Sequence, residues 1–94
     1  MKQLSTLVNQ AIHNLHIEAL NPMQQVSIEA WKEGKDLILL SPTGTGKTLA
    51  YLLPLLETLN PDIKGVQAVV LVPSRELALQ IDQVFKSMNT PYKV

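Results

Sequence analysis

Residues 41 to 48 read SPTGTGKT, two glycines followed by a lysine and a hydroxyl. That set of groups is suited to holding a chain of phosphates. The phosphate-loop pattern is G-x-x-x-x-G-K-[ST], and Gly46, Lys47 and Thr48 stand at the required offsets. Ser41 takes the first position, where a small side chain still permits a tight turn. Gly44 and Gly46 let backbone N–H groups turn inward, so that phosphate oxygens can approach closely. A helix starting near Lys47 would aim its positive end at the same place. Lys47 would reach the terminal phosphates, and the Thr48 hydroxyl would join the shell of a Mg²⁺ ion. The plain alternative is a glycine turn between a strand and a helix, with Lys47 merely exposed. The apolar run before the loop and the helical pattern after it favour phosphate binding.

Two further places could do chemistry. In LVPSRELALQI, Ser74 is a natural N-cap and Arg75 falls in the first helical turn, where a cation opposes the helix dipole. A hydroxyl, free backbone N–H groups and a guanidinium could together hold a nucleic-acid phosphate. On these residues alone, a simple cap with a solvated Arg–Glu pair accounts for them better. Gln24 stands three residues after Asn21, the spacing of a capping box. Its amide could instead read the edge of adenine with one donor and one acceptor. Local chemistry favours the cap.

Hydrolysis would need a carboxylate at a strand end to hold Mg²⁺ and orient water. No Asp or Glu follows either apolar run, since DLILL ends at Ser41 and VQAVVLV at Pro73. Glu76 and Asp82 belong to the helix beyond, and Arg75 is the only arginine.

Elements must position these groups. Leu4, Leu7, Val8, Ala11, Ile12 and Leu15 have the spacing of an amphipathic helix over 4–15. Asn21 and Pro22 open a second helix, with Met23, Val26, Ala30 and Trp31 on one face and Gly34 closing it. DLILL and VQAVVLV read as buried strands. TLAYLLPLLETL is apolar almost all round, and Pro54 should bend or end that helix nearby. Leu77, Ala78, Ile81, Val84, Phe85 and Met88 mark one face of a last helix. Strand, helix, strand, helix predicts an α/β fold with a parallel sheet and a right-handed crossover. The expected division is helices over 1–34 and a βαβα core over 35–94.

The 94-residue chain is 46% hydrophobic, so it reads as globular rather than disordered. Eight basic residues balance eight acidic ones, so any polyanion site must be local. The absence of cysteine removes disulfides and thiolate metal sites. No apolar run approaches the roughly twenty residues that span a bilayer. A soluble cytoplasmic protein is the expectation.

Taken in order, IEALNPMQ, SPTGTGKT and PSRELALQI resemble the start of the DEAD-box family of ATP-dependent RNA helicases. They look like its Q motif, motif I and motif Ia. The resemblance implies a P-loop NTPase domain of the RecA-like kind, of which this chain is the N-terminal part with an incomplete sheet. It implies that Gln24 reads adenine, and that Ser41, Pro42, Thr43, Gly44, Thr45, Gly46, Lys47 and Thr48 cradle the triphosphate of ATP with Mg²⁺. It implies that Ser74 and Arg75 touch an RNA backbone. The family's adenine-stacking aromatic lies about seventeen positions before the glutamine, which here reaches Leu7, able to pack but without a π-face. The D-E-A-D tetrad itself does not occur in the chain. The resemblance therefore implies ATPase and unwinding activity for a parent protein, and none for these residues alone. A truncated sheet would expose edges and invite self-association. The rival readings are a RecQ-type DNA helicase, a small nucleotide kinase, and a non-catalytic interaction module that keeps the loop only as a turn.

Overall fold

The computed structural model of the chain describes residues 5–40 and 46–94, and four helices lie among them. α1 runs Thr6–Asn14, α2 Pro22–Lys32, α3 Lys47–Thr58 and α4 Arg75–Ser87. Each starts where its sequence provides a reason. Ser5 caps α1 by accepting from the Val8 N–H at 3.2 Å. Asn21 caps α2, and Pro22 sits at the first helical turn, where its missing N–H costs nothing. Ser74 caps α4 by accepting from the Leu77 N–H at 3.2 Å. α3 differs, because it starts from Gly46 without any side-chain cap.

The core lies where α1 and α2 both pack on α3. Val8 and Ala11 from α1, Ile28 from α2, and Leu52, Leu53 and Leu56 from α3 are buried together. Met88, at the C-cap of α4, closes this cluster, with Ile81, Val84 and Phe85 partly buried against it. Three tethers hold the periphery. The Ser5 N–H donates to Glu57 Oε1 at 2.8 Å, Asn14 Nδ2 to the Met88 carbonyl at 2.8 Å, and the Tyr92 hydroxyl to the Leu59 carbonyl at 2.9 Å. At the turn leaving α2, Lys35 meets Glu33 at 2.8 Å. That hydrogen bond, and then the carboxylate's charge, raises the Lys35 ammonium above its ordinary range. No helix among the described residues is long and apolar enough to cross a membrane.

Two expectations are corrected. The parallel sheet is not formed: among the described residues no strand is present, and 36–40 and 66–72 are unpaired. A parallel strand is stabilised by ladder bonds from neighbours and by cover on both faces, and these segments lack both. In 36–40 the side chains nevertheless alternate as strand residues do. Leu37 and Leu39 are half-buried, whereas Ile38 and Leu40 are 85% and 91% exposed. Val70 and Val72 line a cavity of about 650 Å³ against α3 and α4, whereas Val69 and Leu71 are 74% and 90% exposed.

The second correction concerns α2. Val26, expected on its inner face, is exposed, and the buried residues are Gln24, Ser27 and Ile28. Two polar side chains can face inward because α3 presents carbonyls that they bond. Pro54, expected to bend or end its helix nearby, lies inside α3, which ends at Thr58, four residues on.

Candidate nucleotide site

α3 begins at Gly46 in the left-handed region, with φ at +84°. Glycine adopts that conformation at little steric cost. No side chain among the described residues caps the first amides of α3, and the positive end of the helix attracts an anion. Lys47 and Thr48 are the first two residues of this helix, and both are half-buried. The remaining expected cradle residues, Ser41, Pro42, Thr43, Gly44 and Thr45, lie outside the described residues.

Gln24 is brought against this helix start. It is 5% exposed, and both ends of its amide are hydrogen-bonded. Its Oε1 accepts from the Asn21 N–H at 3.0 Å, while the Gln24 N–H donates to Asn21 Oδ1 at 2.8 Å. The capping box expected from the spacing is therefore present. Its Nε2 donates to the Gly46 carbonyl at 3.3 Å, a bond that joins residues 22 positions apart. Approach is so close that a Cβ on Gly46 would lie 2.6 Å from that Nε2. The Gly46 carbonyl also takes the ordinary helical bond from the Ala50 N–H at 3.2 Å.

Leu7 is half-buried and packs against the core from α1. Ser74 and Arg75 stand apart from this cluster at the start of α4, both exposed. Ser74 acts as the expected cap, and Arg75 makes no ion pair among the described residues. Ser27 is the residue that pattern reading passed over. It is fully buried, and its hydroxyl donates to the Ala50 carbonyl. The available signal was a proline four residues beyond Ala50 in an otherwise apolar helix.

A family model described as DEAD/DEAH box helicase matches residues 21–94. The chain belongs to the DEAD/DEAH box helicase family, and membership implies a RecA-like fold. It is 47% identical over 83 residues to the DEAD-box ATP-dependent RNA helicase CshC of Bacillus cereus, covering 88% of this chain and 21% of that protein. It is 55% identical over 65 residues to a probable ATP-dependent RNA helicase of Bacillus subtilis, YfmL, covering 69% and 17%. Similarity to the ATP-dependent RNA helicase DHH1 of Pyricularia oryzae is 44% over 72 residues, covering 77% and 14%. The chain thus spans about a fifth or less of the length of these relatives.

Proposed function

We propose that the chain is the ATP-binding N-terminal part of an ATP-dependent RNA helicase. The observation that carries this reading is the bare, left-handed start of α3 at Gly46, with Lys47 and Thr48 following and Gln24 bonded to it. Here the amides of the first turn hold the phosphates, Lys47 neutralises their charge, and Gln24 orients the base. Among the described residues no cluster of three His, Cys, Asp or Glu could hold a metal by itself. A Mg²⁺ ion is proposed as a companion of the phosphates, with the Thr48 hydroxyl in its shell. When bound, the ion draws charge from the phosphate oxygens. Ser74 and Arg75, exposed at the other helix start, are proposed to meet an RNA backbone.

No turnover is expected of this chain alone, because neither apolar segment ends in a carboxylate. Calorimetric titration with Mg-ATP tests the binding step, and saturable uptake is expected. In a version lengthened to the size of its relatives, RNA should stimulate ATP hydrolysis more than DNA does, and Arg75→Ala should weaken that stimulation. Equal stimulation by DNA would favour the DNA-helicase reading instead.

We also propose that the chain associates with itself. Ile38, Leu40, Val69 and Leu71 expose apolar side chains on segments with no strand partner among the described residues, a surface open to pairing. Sedimentation should report a mass that grows with concentration. A monomer at every concentration would refute this.

A further inference from the structure

A proline inside a helix has no N–H for the carbonyl four residues back, and its ring crowds that carbonyl. Pro54 stands in this relation to Ala50. Ala50 is fully buried, so water cannot supply the missing donor. Unpartnered carbonyls in such places are costly. The Ser27 hydroxyl, itself fully buried on α2, donates to this carbonyl.

We propose that Ser27 is a positioning residue of the phosphate-binding helix. Its hydroxyl replaces the hydrogen bond that Pro54 withholds from Ala50, and so holds α3 in register on α2. One turn earlier on α2, Gln24 bonds the Gly46 carbonyl. The two side chains grip carbonyls 46 and 50, which bracket the turn that carries Lys47 and Thr48. The helix can therefore tolerate a buried proline without bending away from α2. The consequence for ligand binding rests on the nucleotide reading above, whereas the hydrogen-bond exchange does not.

A double-mutant cycle with Ser27→Ala and Pro54→Ala on the chain tests the exchange, since Pro54→Ala restores the N–H. With Pro54 present, Ser27→Ala should lower the folding equilibrium constant roughly ten- to a hundredfold. With Ala at 54, the same change should cost less than about threefold. Amide exchange at residues 50 to 53, which donate within α3, should rise in Ser27→Ala and return towards the parent rate in the double variant. Equal losses in both backgrounds, or accelerated exchange that Pro54→Ala leaves unrelieved, would overturn the proposal. Should Ser27→Ala fail to fold, the double variant and Pro54→Ala alone still decide: a folded double variant supports the exchange, and an unfolded one beside a folded Pro54→Ala refutes it. Mg-ATP titration of the same variants separates the two ideas. A parent chain that binds no Mg-ATP would count against the nucleotide reading while the cycle still judges Ser27.

Discussion

Lys47→Ala should weaken Mg-ATP binding by roughly 100-fold and leave the helices intact. The side chain begins α3 and is half-buried, and no ion pair among the described residues is lost by removing it. What is lost is a charge-assisted bond to a phosphate, about twice as strong as a neutral one, in a place where the amides of the helix start act on the same oxygens. Calorimetric titration of both forms measures the ratio, and circular dichroism checks that α3 survives. Unchanged affinity would mean that the nucleotide sits elsewhere and that the turn at Gly46 serves the fold alone.

Gly46→Ala carries the second large effect, and here stability falls together with affinity. Two costs coincide. An alanine at φ +84° bears a left-handed penalty of about 1–2 kcal/mol. Its Cβ would also lie 2.6 Å from Gln24 Nε2, and that amide cannot step aside freely because its other end is bonded to the Asn21 N–H. The sum should be about 2–3 kcal/mol of unfolding free energy, read from urea denaturation. In a Gln24→Ala background the crowding disappears while the backbone penalty stays, so the alanine at 46 should then cost only about 1–2 kcal/mol. If the cost does not fall in that background, the close approach of Gln24 to Gly46 is not felt by the folded chain.

Much of this was legible in advance. Helix starts are written in short local signals: the caps Asn21 and Ser74 accept from a backbone N–H three residues on, whereas Ser5, inside the first helix as read over 4–15, proves to be the cap of α1. The capping box between Asn21 and Gln24 follows from their spacing alone. The glycine before Lys47 announced a left-handed turn into a helix. The strands were legible as pattern and absent as ladder. DLILL and VQAVVLV have the apolar runs of a sheet interior, and the first alternates between half-buried and exposed side chains, but a ladder needs partners that an apolar run cannot supply by itself. Family membership, with its RecA-like fold, names the architecture to which such runs belong.

Periodicity misjudged α2 because it counts only apolar residues. Val26 belongs to an apolar pattern and is exposed, while Gln24 and Ser27 are polar and buried. Burying a polar side chain is unfavourable unless it finds a hydrogen-bond partner, and those partners are carbonyls 22 and 23 residues away. No window of local sequence contains both halves of such a bond.

By itself, the order of residues determined where helices begin, which loop could hold phosphate, and the family to which the chain belongs, because caps, glycine turns and motif spacing act over a few positions. Tertiary structure alone decided which face of α2 turns inward, that Gln24 spends its amide on Gly46, and that α3 survives its proline. Each of these depends on a donor meeting an acceptor across two helices, and that meeting exists only once they pack.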